Sequence, residues 1–323
     1  MFEVVRLNED GFASTFGISL DDVTNLVQAL LSADSECGFD SEKREALMSI
    51  ECPLDDINSL ESPSEMEALD SNGLANIAGY SAEAEAQVEL LSDGHPIRDQ
   101  KKRGTCASFA TLRALEVSGL KKNVFQPPID LSEHFLHWNT KEYHCGNRNR
   151  PGTGIENHLR TLSHKGVCKE DLCPYEESSS DAEHKGAMPK SDAFSDAETR
   201  KHHGSQRLKP EDLNALKKAI TGGSPVILQI PVFHNWYNDL EVRASGILYS
   251  QTGPHDKTEG SHAIVLVGYF EDPEAQDESY FVFDNSWGER WAESSPFGAG
   301  RGILPFNYVT THCRGLSAYL LTH

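Results

Sequence analysis

The hydrophobic and polar residues are typical of helices in one part of the chain and of strands in another, so the sequence predicts a helical part followed by a strand-rich part. Apolar residues at helical spacing follow Cys106 in CASFATLRALEVSGL, which ends at Gly119, and another helix is predicted from Ile155 to Gly166. Pro210 predicts the start of a helix in PEDLNALKKAI. The last third contains PVILQIPV, HAIVLVGYF and SYFVFD, which are apolar and rich in β-branched and aromatic residues. Helices followed by strands predict an α+β protein with one helical and one sheet-based subdomain.

The first quarter of the chain has a different pattern. A helix is predicted from Ser19 in SLDDVTNLVQALLS, because its apolar positions fall on one face, and an acidic, turn-rich stretch follows it. Residues 1–90 carry 20 Asp and Glu and three Lys and Arg, which gives −17 of the chain's net charge of −21. We therefore predict an acidic extension over 1–87 and a packed domain over 88–323. Within that domain, the polar segment 176–209 predicts a long surface insertion.

Composition narrows the class of protein. Hydrophobic residues make up 38% and charged residues 24% of the 323 residues, as is typical of a soluble globular protein. No apolar run approaches the ~20 residues needed to span a bilayer, and the N-terminus lacks the pattern of a secretory signal. We expect a cytoplasmic protein, or one exported without a standard signal peptide. The acidic charge argues against nucleic acid and membrane surfaces as partners.

Candidate chemistry is concentrated at three positions. Cys106 starts a helix, whose N-terminal partial positive charge favours a thiolate. His262 opens one predicted strand, and Asn285 follows the next, where its amide oxygen could accept an imidazole N–H. Each residue alone is as easily structural: a buried thiol, a surface histidine and a turn asparagine.

Other reactive side chains carry weaker signals. The spacing of His144, Cys145 and His202 with His203 fits no standard ligand pattern, so we predict no metal and no cofactor. The chain has seven cysteines, which we expect to be reduced, although Cys168 and Cys173 could form a disulfide in an oxidising compartment.

Several motifs in order resemble the papain family of cysteine peptidases, and they span about residues 88–310. The end of the chain, GRGILPFNYV, resembles the bacterial branch of that family. The resemblance implies the papain-like fold of two subdomains. The motifs are PIRDQKKRGTCASFA, LSEHFL, PGTGIENHLRTLSHKGV, CPY, SHAIVLVGY and NSWGERW.

The resemblance also implies a role for each matching residue. Cys106 would attack the scissile carbonyl to form a thioester, and His262 would pair with it and then protonate the leaving amine. Asn285 would orient His262. Gln100 would donate its side-chain N–H to the oxyanion together with the backbone N–H of Cys106. Trp287 would shield the Asn–His hydrogen bond from water.

The same resemblance implies the substrate-binding residues. Gly152 and Thr153 stand at the positions of the family's Gly-Gly, where substrate backbone lies, and Thr153 departs from that pattern by adding a side chain. Ile155 and Ala263 match residues that line the pocket for the second substrate residue before the scissile bond. Because both are apolar, an apolar side chain is expected there.

Two residues depart from the family pattern beside the nucleophile. Ala107 replaces an aromatic residue, which removes bulk next to the thiol. Arg103 replaces a cysteine, so the family's usual disulfide is absent there.

Three functions remain open from the sequence. The first is a cysteine endopeptidase that acts on a peptide or protein substrate. The second is another acyl transfer through a Cys–His thioester on the same fold, and the third is a non-catalytic peptide-binding module. Residues 1–87 are predicted to be an inhibitory propeptide, which would make the protein a zymogen, or else a permanent subdomain or an adaptor for a partner.

Overall fold

The computed structural model covers most of the predicted packed domain. The predicted extension over 1–87, with its helix from Ser19, lies outside the described residues. The structure describes residues 94–125, 128–146, 148–177, 184–233, 236, 239–249, 258–271 and 279–322.

Three helices form the helical part: α1 is Cys106–Lys121, α2 is Glu133–Tyr143 and α3 is Ile155–Lys165. The predicted starts at Cys106 and Ile155 are confirmed, but α1 continues two residues past the predicted stop at Gly119. Every residue of α1 from Cys106 to Gly119 is buried, because the helix packs against α2 and α3 on one side and against the sheet on the other. This central helix carries the candidate nucleophile.

The segment 176–209, predicted as a long surface insertion, contains regular structure. It includes helix α4, Ser191–Ala197, a turn of 3₁₀ helix, Glu198–Arg200, and strand β1, Ser205–Leu208. In α4, Ala193 and Ala197 are fully buried, and the Phe194 ring packs 5.2 Å from that of Phe135 between centroids. The few apolar residues of this polar segment therefore attach it to α2.

The second part is a six-stranded sheet with the strand order β1-β6-β2-β3-β4-β5, and all paired strands are antiparallel. The three predicted strands are confirmed as β2, β3 and β4, and all five residues of β4 are buried. The strands after β1 are β2 Val226–Phe233, β3 Thr258–Phe270, β4 Tyr280–Asp284, β5 Arg301–Pro305 and β6 Ala318–Leu321.

Three further helices surround the sheet: α5 is Leu213–Thr221, α6 is Leu240–Ser245 and α7 is Phe306–His312. The prediction that Pro210 occupies the first position of α5 is wrong. The Asp212 carboxylate accepts the N–H of Ala215 at 3.0 Å, so this side chain caps the helix two residues after the proline.

One hydrophobic core joins the helical part to the sheet through the contact between α1 and β3. The predicted α+β architecture of helices and an antiparallel sheet is therefore confirmed. Within the described part of the chain, no helix combines the length and apolar character needed to cross a membrane.

Candidate active site

Cys106 is the first residue of α1, and only 3% of its surface is exposed. Burial raises the pKa of its thiol to about 11, although the backbone N–H groups of Ala263, Ala107 and Cys106 itself act in the opposite direction by stabilising the thiolate. The N–H of Ala263 belongs to the residue after His262. The sulfur of Cys106 therefore lies beside the strand that carries the candidate base.

His262 and Asn285 come from the neighbouring strands β3 and β4. The Nε2 atom of His262 lies 2.8 Å from Oδ1 of Asn285, and the same oxygen accepts the backbone N–H of Ser286 at 2.8 Å. Because the amide oxygen accepts from a backbone donor, it faces the imidazole as an acceptor, and Nε2 carries the proton. In this tautomer Nδ1 is the basic nitrogen, and it makes no hydrogen bond to the described residues.

Burial also acts on the charge of His262. It lowers the pKa of the imidazole to about 4, and the hydrogen bond with Asn285 only partly opposes it. Burial thus favours the neutral form of both Cys106 and His262. A thiolate–imidazolium pair requires each charge to stabilise the other, because burial outweighs the hydrogen bonds that stabilise each charged form.

One tryptophan covers the imidazole, and a second supports the first. The ring of Trp287 lies 4.9 Å from that of His262 between centroids, with a tilt of 35°, and Trp287 is buried. Trp291 packs edge-on against Trp287 at 5.7 Å. The two rings exclude solvent from one side of the His262–Asn285 pair, which is the placement that shielding by Trp287 requires.

Gln100 is fully buried and has a fixed orientation. Its Oε1 accepts the Ser286 hydroxyl at 2.6 Å, and its Nε2 donates to the carbonyl of Arg103 at 2.8 Å. Its backbone N–H donates to the carbonyl of Ser286 at 2.8 Å. The carbonyl of Arg103 accepts one of the two hydrogens on Nε2. The second hydrogen is the one that could be donated to an oxyanion.

The contacts of Arg103 were not predicted from the sequence. Its guanidinium donates to the carbonyls of Glu176 at 2.7 Å and Lys185 at 3.0 Å and to Nδ1 of His134 at 3.2 Å. It also lies 5.3 Å from the centre of the Tyr175 ring. The only local signal was an arginine where the family has a cysteine, and the structure places a guanidinium clamp at that position.

Tyr175 connects this clamp to the nucleophile loop. Its hydroxyl donates to the carbonyl of Gln100 at 2.8 Å and lies 2.7 Å from the Thr105 hydroxyl. We call Gln100–Thr105 the oxyanion loop. Side chains from outside the loop thus hold both of its ends.

The predicted substrate-binding residues lie on both sides of Cys106. Gly152 contacts the oxyanion loop so closely that a Cβ at Gly104 would lie 3.0 Å from its nitrogen. Thr153 is buried, and its hydroxyl accepts from Asn157 at 3.2 Å. Ile155 and Ala263 are also buried, at the start of α3 and on β3. Their binding of substrate stays a prediction.

Ala107 is buried in the first turn of α1, where the family has an aromatic residue. The cysteines among the described residues carry free thiols, and Cys168 and Cys173 are both buried.

Comparison with known proteins agrees with this architecture. A family model described as papain family cysteine protease matches residues 87–305. Cathepsin J of Rattus norvegicus is 27% identical over 197 residues, which cover 61% of this chain and 54% of that protein. The chain spans about half the length of the curated relatives it matches.

Two solved structures share the fold. Xylellain, a cysteine protease from Xylella fastidiosa, superposes with a TM-score of 0.60 at 22% identity, covering 72% of this chain and 84% of that one. The ragweed pollen allergen Amb a 11, a cysteine protease in its proform, superposes with a TM-score of 0.51 at 21% identity, covering 71% and 62%. The family match extends over more than half of the sequence and includes Cys106, His262 and Asn285. The chain belongs to the papain family of cysteine proteases.

Proposed function

We propose that this protein is a cysteine endopeptidase in which Cys106 is the nucleophile, His262 the general base and acid, and Asn285 the residue that orients His262. The observation that carries the proposal is the 2.8 Å contact between His262 Nε2 and Asn285 Oδ1. This contact leaves Nδ1 as the basic nitrogen of His262, and the Cys106 thiol at the start of α1 lies beside the strand that carries His262. Family membership supports the same reaction class.

In the first half of the reaction, Nδ1 of His262 takes the thiol proton and the sulfur attacks the scissile carbonyl. The free amide hydrogen of Gln100 and the backbone N–H of Cys106 donate to the oxyanion. The imidazolium then gives its proton to the leaving amine, which leaves a thioester. In the second half, His262 takes a proton from water as the water attacks the thioester, and Cys106 regains its proton. Burial favours the neutral imidazole beside the thioester after the first half and the neutral thiol and imidazole after the second half.

The substrate is proposed to carry an apolar side chain at the second residue before the scissile bond, against Ile155 and Ala263. Both positions are buried and apolar, so a charged substrate side chain would lose its hydration without gaining a partner. A positional peptide library should show a preference for Leu or Val there. A clear choice of Arg or Asp would reject this assignment.

Residues 1–87 are proposed to inhibit the catalytic domain in the same chain. Their position before the domain and their strong negative charge support this role, and the related allergen structure was solved as a proform. A protein that starts near Ser81 should be more active than the full chain, and residues 1–80 added in trans should suppress it. Equal specific activity of the two folded proteins would contradict inhibition.

The test of the reaction is a fluorogenic peptide panel with wild type and Cys106→Ala. Wild type should release the fluorophore and be inactivated by a thiol-reactive inhibitor, and the variant should bind peptide without turnover. Product that forms only when an amine acceptor is added would indicate acyl transfer instead. Peptide binding by wild type without any product would indicate a non-catalytic module.

Labelling with iodoacetamide provides an independent readout. Cys106 should react faster than Cys145, which is more exposed but lies just after the C-terminal end of α2, where the helix dipole does not stabilise a thiolate. Faster labelling of Cys145 would contradict activation of Cys106.

A further inference from the structure

The residue that precedes Asn285 is held by two arginines. Asp284 is the last residue of β4, and 2% of its surface is exposed. Its Oδ2 accepts from Nε of Arg113 at 2.7 Å, and its Oδ1 accepts from Nε of Arg301 at 2.8 Å. Each carboxylate oxygen thus has its own charged donor, and the side chain cannot turn without breaking one of these hydrogen bonds.

The two arginines belong to different parts of the molecule. Arg301 opens β5 and lies directly opposite Asp284 in the strand ladder, so this pair lies within the sheet. Arg113 is on α1, seven residues after Cys106, and therefore lies about two turns along the same face of the helix. The Arg113–Asp284 pair consequently connects the helix that carries the nucleophile to the strand that delivers Asn285.

Apolar packing does not fill this junction completely. A small cavity with room for about one water molecule lies there. Its lining includes Phe109 and Arg113 of α1 together with Asp284 and Asn285. Contact between side chains is incomplete here, so the buried Arg113–Asp284 ion pair adds a direct connection between α1 and the end of β4 to the apolar packing of α1 on β3.

We propose that Asp284 and Arg113 are positioning residues that hold Cys106 at its working distance from the His262–Asn285 pair. This inference rests on the proposed function. Neither residue touches the reacting atoms. They act through the backbone of α1 and of β4, so their loss should misplace Cys106 without removing any catalytic group.

The experiment compares two matched variants. Arg113→Met removes the connection between α1 and β4 but leaves Asp284 paired with Arg301. Arg301→Met removes the ion pair between Arg301 and Asp284 within the sheet but leaves the Arg113–Asp284 pair. We expect Arg113→Met to lower kcat about 10-fold or more, with little change in KM, because small misplacements of reacting groups reduce rates strongly. The iodoacetamide reaction of Cys106 should slow in parallel.

Arg301→Met should keep kcat and the labelling rate of Cys106 within about twofold of the wild-type values. A change of that size is much smaller than the loss expected when reacting groups are misplaced. Arg113→Lys, which retains a positive charge of similar reach, should recover part of the lost kcat. Lys217→Met serves as the control for any helix-to-strand ion pair, because Lys217 contacts Glu271 at 2.6 Å, nine residues beyond His262. It should leave kcat and the labelling rate unchanged.

A purely structural role predicts a different result. The inference is overturned if folded Arg113→Met retains wild-type kcat and labelling, or if Arg301→Met loses both to the same extent. Asp284→Asn should reproduce Arg113→Met, and if that variant does not fold, the two arginine variants still decide. The labelling rate does not depend on substrate, so it tests the positioning even if wild type proves to have no peptidase turnover.

Discussion

The two sides of the candidate site are built in different ways. On the sheet side, His262 and Asn285 lie on and next to strands that are paired on both edges and buried throughout β4. On the opposite side, Gln100 belongs to the oxyanion loop, which lies outside the strands and meets the sheet side where Gln100 forms hydrogen bonds with Ser286. The side chains of Arg103 and Tyr175 hold that loop through a few polar contacts.

This difference separates stability from function. Many regular contacts fix the sheet side, so a substitution in its apolar core, away from the Arg113–Asp284 pair, should reduce the free energy of unfolding while the catalytic geometry survives. Few contacts fix the oxyanion loop, so a substitution there should reduce turnover more than stability. The following predictions test this contrast.

The largest effect is expected for His262→Ala. Removal of the base should lower kcat by about 10²–10⁴-fold. Without the imidazole no counter-charge opposes the burial that raises the pKa of the Cys106 thiol, so labelling by iodoacetamide should be slow at pH 7 and increase up to strongly alkaline pH. In wild type the increase should begin at lower pH. Cys145 should show the same pH profile in both proteins, and coinciding profiles for Cys106 would contradict the pairing.

Leu266→Ala tests the sheet side. Leu266 is fully buried on β3, four residues after His262. The substitution should reduce the free energy of unfolding by about 2–5 kcal/mol, because it leaves a cavity in the core. Denaturant unfolding measures this loss. The kcat per folded molecule should stay near the wild-type value, and a large fall in kcat would show that the ladder does not fix the site.

Arg103→Met tests the oxyanion loop. The variant loses the donors to the carbonyls of Glu176 and Lys185, so the carbonyl of Arg103 that orients Gln100 should move. We expect kcat to fall by about 10–10²-fold, with a smaller loss of stability than in Leu266→Ala. A peptide aldehyde, whose adduct needs the oxyanion donors, should bind more weakly, whereas iodoacetamide labelling should be little affected. Equal losses with both reagents would place the defect at Cys106 instead.

The smallest effect is expected for Ser132→Ala. The Ser132 hydroxyl accepts the N–H of Phe135 at 3.0 Å and caps α2. Its loss should reduce the free energy of unfolding by about 1–2 kcal/mol. Because this cap does not contact the oxyanion loop, kcat should not change. A changed kcat in fully folded Ser132→Ala would show that substitutions outside the oxyanion loop also affect turnover.

The sequence contains the signals for the sheet side more completely than those for the loop. The apolar pattern of β3 and β4, the helix start at Cys106 and the motif residues are local features, and each predicts its element directly. The partners of Arg103 lie 73 and 82 residues away, so no local pattern indicates the clamp. Strand β1 was missed for a related reason. Three of its four residues are exposed, so its sequence shows no alternation of apolar and polar residues. Its pairing with β6 defines it as a strand.

The stacking of Trp287 on His262 also has a spectroscopic consequence. An imidazolium above an indole face is attracted by the ring's quadrupole, and the centroid distance of 4.9 Å is within the range of that attraction. A protonated imidazole in contact with an indole also quenches its excited state. The ultraviolet emission of Trp287 should therefore dim when His262 takes up a proton and recover when it releases it. The protein carries an intrinsic optical reporter of its own proton transfer, which stopped-flow fluorescence can follow without a dye.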